Sequence, residues 1–167
     1  MKNKTIIIWI AIIIIGIFGL LWLGGGNNAS LPTESQLQRE SLLTAPVSSH
    51  DFGSISMESG SVGVSFVVTN SSQEDTRIDS IVTSCMCTTA YIMDGDVKKG
   101  PFGMPGHGAT VPKVNEIMQA GEERVVEIIF DPAAHGPAGV GLAERYVYLI
   151  DETGGVLQLK ITANVTL

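Results

Sequence analysis

Hydrophobic and polar residues divide the chain into three parts with different patterns. Residues 6–23 form an apolar run without a single charge, and residues 24–46 are rich in Gly, Asn, Ser, Thr and Gln. From residue 47 onward, short stretches of alternating apolar and polar residues are separated by polar turns. We therefore predict an N-terminal membrane anchor at 1–23, a polar stalk or linker at 24–46 and a β-sandwich domain at 47–167.

The C-terminal part has the period of two that is typical of half-buried strands. In Val62–Val68 the residues at positions 62, 64, 66 and 68 share one face, and the polar cluster Asn70–Asp75 follows. Asp151–Gly155 has the composition of a hairpin turn. Further candidate strands are Ile78–Thr83, Glu123–Phe130, Arg145–Ile150 and Val156–Leu167. About seven short strands predict an all-β fold, an antiparallel β-sandwich.

The apolar run Ile6–Leu23 has the length of a transmembrane helix. Eighteen residues at about 1.5 Å each span roughly 27 Å, close to the hydrocarbon thickness of a bilayer. A cleaved signal peptide and a buried core helix are the alternatives, but Gly24–Ser30 is a poor cleavage site. Because Lys2 and Lys4 precede the run, we expect a cytoplasmic N-terminus and an extracytoplasmic domain, periplasmic or at the cell surface.

The polar stalk contains one helix signal. Thr33–Gln36 has the form of a capping box and predicts a short helix over Glu34–Leu43. Such a helix is marginal in isolation, so the segment is expected to act as a spacer between membrane and domain.

The charge of the chain excludes several classes of function. The net charge is −7, and without Lys2 and Lys4 the remainder carries 8 basic against 17 acidic residues, or −9. Nucleic-acid binding would require clustered Lys and Arg, which the chain lacks. A nucleotide site is not expected either, because there is no Walker motif and Gly103–Gly108 is not a dinucleotide fingerprint.

Four short motifs resemble, in this order, the bacterial "domain of unknown function 1573" family. They are His50–Ile55 (HDFGSI), Thr83–Thr88 (TSCMCT), Ala120–Glu122 (AGE) and Phe130–Pro132 (FDP). The resemblance implies an immunoglobulin-like sandwich of the Hydin or major-sperm-protein type and an extracytoplasmic location. It implies no catalytic residues, because the family has no characterised activity. The chain departs from the family pattern at Met86, at Ala120 and in the long Gly-rich stretch 94–118.

The candidate chemistry lies at Cys85 and Cys87. On an extended strand residues i and i+2 point to the same face, so both thiols would project together and offer two soft ligands. Met104 and His107 in the following Gly-rich loop complete the candidate metal site, and His135 is a further candidate ligand. Thiolate, thioether and imidazole suit Cu(I), whereas zinc sites usually have at least two residues between their cysteines.

Two other states of the cysteines stay open. Structural thiols or a disulfide are expected outside the cytoplasm, although a bridge across one residue would require a bend in the strand. Thiol–disulfide exchange would need an electropositive setting, and no basic residue lies within five positions of Cys85.

The sequence favours a non-enzymatic binding or scaffolding module that is anchored in the membrane and recognises a protein partner in the cell envelope. A Cu(I)-handling envelope protein that uses Cys85, Cys87, Met104 and His107 is the alternative.

Overall fold

The computed structural model describes residues 13–14, 30–106 and 113–167. The predicted transmembrane helix, residues 6–23, lies outside these ranges apart from Ile13 and Ile14. None of the helices in the described ranges has both the length and the apolar character needed to cross a bilayer.

The described residues of the domain form two five-stranded sheets, and this confirms the predicted all-β sandwich. One sheet has the order β1-β3-β8-β5-β6 and the other β2-β10-β9-β4-β7. A short helix α1 (Glu34–Leu37) precedes them, and 3-10 turns lie at Met57–Ser59 and Gly136–Gly139. The strands are β1 (Leu43–Thr44), β2 (Ser49–Ser56), β3 (Val62–Asn70), β4 (Thr76–Thr83), β5 (Thr88–Asp94), β6 (Val97–Phe102), β7 (Glu116–Met118), β8 (Glu123–Phe130), β9 (Gly141–Asp151) and β10 (Val156–Thr166).

The strands pair antiparallel with one exception. β9 and β10 form the hairpin that the turn Asp151–Gly155 predicts, with Val156 opposite Ile150. β2 pairs parallel with β10, with Ile161 opposite His50. β2 and β10 are separated by about 100 residues of sequence, so no tight turn constrains their relative direction. The antiparallel prediction is wrong for this pair.

The core lies between the two sheets and is formed by alternating residues of the predicted strands. Phe66 and Val68 are buried, and Val62 and Val64 pack against the same cluster, so the predicted inner face of β3 is confirmed. The largest buried side chains are Phe66, Leu43, Ile78, Ile81, Ile92, Met118, Ile128, Leu149, Leu159 and Ile161.

The stalk helix is shorter than predicted. Its start is as expected, because the Thr33 N–H donates to Gln36 Oε1 at 2.9 Å. The helix ends at Leu37 because the chain beyond it binds to the domain: the Arg39 carbonyl accepts a hydrogen bond from the Val156 N–H. Leu43, the predicted helix end, is buried in the core as part of β1.

The buried carboxylate of Asp151 holds this entering segment against the β9–β10 turn. Its Oδ2 accepts hydrogen bonds from Ser41 Oγ and the Leu42 N–H, both at 2.9 Å. Its Oδ1 accepts from the N–H groups of Thr153 (2.9 Å) and Gly155 (3.0 Å). Burial opposes ionisation, but these hydrogen bonds outweigh it and lower the pKa of Asp151.

Candidate functional site

Cys85, Met86 and Cys87 form the turn that carries the chain from one sheet to the other, between β4 and β5. The Cys85 carbonyl accepts hydrogen bonds from the Thr88 N–H at 3.1 Å and from Thr83 Oγ1 at 2.9 Å. The prediction of an extended strand is therefore wrong here, because the crossing between sheets requires the chain to turn.

The two cysteine sulfur atoms lie at disulfide distance. Their Cα atoms are 5.3 Å apart, within the usual range for a bridge, because the turn supplies the bend that an extended strand would lack. Met86, between them, is 55% exposed and takes no part in the core.

The more exposed sulfur faces an imidazole. Cys85 is half-buried, and its Sγ lies 3.1 Å from His135 Nε2. A disulfide sulfur carries no hydrogen, so His135 Nε2–H is the donor in this contact. The Cys87 N–H also points to Cys85 Sγ, at 3.3 Å.

The buried sulfur faces a guanidinium. Cys87 is 3% exposed, and the Nε–H of Arg145 donates to its Sγ at 3.1 Å. His135 and Arg145 are 50 and 58 positions away from their cysteines. Arg145 thus supplies, from β9, the electropositive setting that the local sequence lacks, and His135 adds a hydrogen-bond donor from the segment after β8.

Hydrogen bonds between backbone groups, and between backbone groups and the side chains of Ser84 and Asp131, fix this arrangement. Ser84 and Tyr146 are joined twice, by Ser84 N–H to the Tyr146 carbonyl and by Tyr146 N–H to Ser84 Oγ, each at 2.9 Å. The Asp131 N–H donates to the Cys87 carbonyl at 2.9 Å, and Asp131 Oδ1 accepts from the Ala133 N–H. The latter contact begins the turn that leads to His135.

An open groove of about 580 Å³ lies beside the cysteines, and we call it the cysteine groove. Three of the predicted ligands, Cys85, Met104 and His135, line this groove. The segment that carries Met104 is bound to β4, because the Gly103 carbonyl accepts a hydrogen bond from the Thr83 N–H. His107 lies outside the described residues. The groove is lined by Ser84, Cys85, Met86, Met104, His135, Glu144, Arg145 and Tyr146.

The ligand atoms of Cys85, Cys87 and His135 lie within 4.8 Å of one another. The structure thus brings together both predicted thiols and the further candidate imidazole. A bridged pair cannot offer two thiolates, so this set can bind a metal only after reduction.

One rim of the cysteine groove carries a small polar network. Hydrogen bonds from Lys160 and Tyr146 lower the pKa of the exposed Glu144 carboxyl, and the Glu144 carboxylate raises the pKa of Tyr146. The anionic Glu144 is therefore paired with its own neighbours.

A second groove, of about 460 Å³, runs along the outer edge of β3, and we call it the β3 groove. No sequence motif marks this groove, because its existence depends on which strands pair with β3. β1 pairs only with Thr69 and Asn70, so among the described residues Val62–Val68 have a partner on the β8 side alone. The groove is lined by Pro46, Val47, His50, Val64, Ser65, Phe66, Val67 and Glu123.

Comparison with known proteins supports the resemblance found in the sequence. The model of the family "Protein of unknown function (DUF1573)" matches residues 43–103, which include β1 to β6 and the cysteine turn. Comparison with curated proteins gives no significant match.

Several solved structures have a similar fold. A protein of unknown function from Porphyromonas gingivalis W83 is 13% identical with a TM-score of 0.52, over 77% of this chain and 48% of that one. The PapD-like domain 7 of human CEP192 is 10% identical with a TM-score of 0.41, over 86% of this chain and 96% of that one. The periplasmic chaperone SfaE is 14% identical with a TM-score of 0.40, over 75% and 60%. This chain spans about half of the Porphyromonas protein, and at these identities the likeness concerns the fold alone.

Proposed function

We propose that the protein is a membrane-anchored, extracytoplasmic binding module without enzymatic activity, and that it takes up an extended segment of a partner polypeptide at the β3 groove. The proposal rests on the edge of β3, where no strand among the described residues pairs with Val62–Val68 on the side away from β8. The added segment would continue the sheet beyond β3 through main-chain hydrogen bonds.

The other edge strands carry features that discourage pairing with another chain. β6 contains Lys98, Lys99 and Pro101, and β7 has only three residues. β2 is interrupted by a register shift where it pairs with β10. Lysine, proline, short length and irregular register are the usual devices that protect sheet edges.

β3 itself has none of these devices along Val62–Val68. Val62–Val68 contains no charged residue and no proline. Beside it, Val47 is 63% exposed and Val67 42% exposed. An apolar, uncharged edge of this kind is an aggregation hazard unless a partner covers it, which favours a binding role.

Two further observations support the proposed location and the absence of acyl-transfer catalysis. A cysteine pair at disulfide distance is typical of oxidising compartments outside the cytoplasm. The Cys85 sulfur, which lies beside an imidazole, is engaged with Cys87 and so is not available as a nucleophile for acyl transfer.

Site-specific photocrosslinking in the bacterial envelope tests the binding proposal. A photoreactive residue at Val67 should crosslink to one partner polypeptide, and a photoreactive residue at Val47 should crosslink to the same one. The additional substitution Val67→Lys should abolish the product formed from position 47. Leu142 is the control position, because it is more exposed (83%) but lies in β9 of the other sheet. Equal and heterogeneous crosslinking from Val67 and Leu142 would contradict the proposal.

Cu(I) handling is the second candidate function, favoured by the grouping of Cys85, Cys87 and His135. After reduction, two thiolates and an imidazole would form a soft donor set with Met104 nearby. The reduced full chain should then retain one Cu(I) per molecule against a competing chelator. His135→Gln should weaken this binding and His50→Gln should not; retention by a Cys85→Ser, Cys87→Ser variant would exclude the site.

A further inference from the structure

We propose that Cys85 and Cys87 form an exchangeable disulfide that oxidises a dithiol on a partner polypeptide at the cysteine groove. This goes beyond the binding role at the β3 groove, which uses different residues. The inference rests on the unequal exposure of the two cysteines and on the hydrogen-bond donor that each sulfur atom faces.

The different exposure of the two cysteines directs the attack of a partner thiolate to one of the two sulfur atoms. Cys85 is half-buried and lines the cysteine groove, whereas Cys87 is 3% exposed and packed in the core cluster. An incoming thiolate therefore reaches Cys85 Sγ, and Cys87 becomes the leaving group. Access and the stability of the leaving thiolate are two of the factors that set exchange rates.

Arg145 stabilises the leaving sulfur. The partner thiolate forms a bond with Cys85 Sγ while the Cys85–Cys87 bond breaks, and the electron pair of that bond remains on Cys87 Sγ. The Nε–H of Arg145, already 3.1 Å from this atom, then donates to a thiolate instead of a neutral sulfur. Hydrogen bonds to charged acceptors are about twice as strong as neutral ones.

His135 stabilises the second leaving group, the sulfur of Cys85, in the same way. The second thiolate of the partner attacks the partner sulfur in the mixed disulfide and releases Cys85 as a thiolate, 3.1 Å from His135 Nε2. The partner dithiol has then lost two electrons and two protons. The Cys85–Cys87 pair has gained the electrons, and the protons pass to its sulfur atoms or to solvent.

Opening of the disulfide by dithiothreitol tests the role of Arg145. The full chain, in detergent, is mixed with dithiothreitol, and samples of the reaction are quenched with acid at intervals. Free thiols in each sample are then alkylated and counted by mass spectrometry. Arg145→Gln should slow opening at least about fivefold, because the leaving sulfur loses a charged donor. Arg77→Gln is the matched control, since Arg77 pairs with Asp79 on the surface. Equal rates for the two variants, or a folded chain whose disulfide resists dithiothreitol, would overturn the proposal.

A second pair of variants keeps the test valid if Arg145→Gln unfolds the domain. His135 is exposed, so His135→Gln should fold normally; in a glutathione buffer it should shift the equilibrium about fivefold toward the disulfide. Arg77→Gln, the surface control used above, should not change it. Trapped mixed disulfides should carry glutathione on Cys85. Glutathione on Cys87, or identical equilibria for both variants, would show that the bridge is only structural.

Discussion

Replacing Asp151 by Asn should destabilise the domain strongly, because this buried carboxylate accepts five hydrogen bonds and donates none. An amide can keep its oxygen toward Thr153 and Gly155, but its NH₂ group then faces the Leu42 N–H. We estimate about 2 kcal/mol for the stranded Leu42 donor and about 1 kcal/mol for weaker remaining bonds. The total is about 3 kcal/mol.

Thermal unfolding followed by circular dichroism measures this loss. Residues 43–167, at about 2.1 cal/mol/K each, give an unfolding entropy of about 0.26 kcal/mol/K, so the Tm should fall by about 11 °C. Asp79→Asn is the control, because Asp79 is in an exposed ion pair with Arg77 and should cost under about 1 kcal/mol. Equal Tm values for Asp151→Asn and the native chain would refute the assignment of Asp151 as the anchor of the entering segment.

The same carboxylate makes stability depend on pH with a defined sign. The pKa of Asp151 is lower in the folded state than its ordinary value of 3.8. Its contribution is therefore fully present above that value and is lost as pH falls below it, toward the lower pKa of the folded state. The Tm of the native chain should decrease over this range more steeply than that of Asp151→Asn.

Two other substitutions test buried contacts by the same melting assay. Glu116→Gln should lower the free energy of unfolding by about 3 kcal/mol. The Glu116 side chain is only 6% exposed, and without its charge the largely buried guanidinium of Arg124 loses part of the negative charge that balances it. Gly155→Ala should cost about 2 kcal/mol, since a Cβ there would lie 2.7 Å from Ser41 Cα, whereas Gly103→Ala meets no atom within 4 Å and should melt normally.

The sequence predicted those parts of the fold that alternate cleanly. Val62–Val68 and the last strand each place their apolar residues on one face, and both pack into the core as expected. β6, with Lys98, Lys99 and Pro101 in six residues, has no such alternation, because an edge strand buries little. The helix expected as far as Leu43 stops at Leu37, since contacts with the β9–β10 turn outweigh the weak preference of an isolated helix.

The sequence indicates the cysteines of the candidate site but not the residues that contact them. Only Met86 separates Cys85 from Cys87 in the sequence, and the two cysteines alone indicate soft-ligand or redox chemistry. The choice between these depends on what faces each sulfur, and that is decided by residues 50 and 58 positions away. Arg145 has the same parity in β9 as the buried Ala143, Val147 and Leu149, so alternation marks it as a charged residue on the inward face. Alternation does not say which group it contacts there. Its Nε–H points to the buried sulfur, and this contact gives the two otherwise similar cysteines different roles in the proposed exchange.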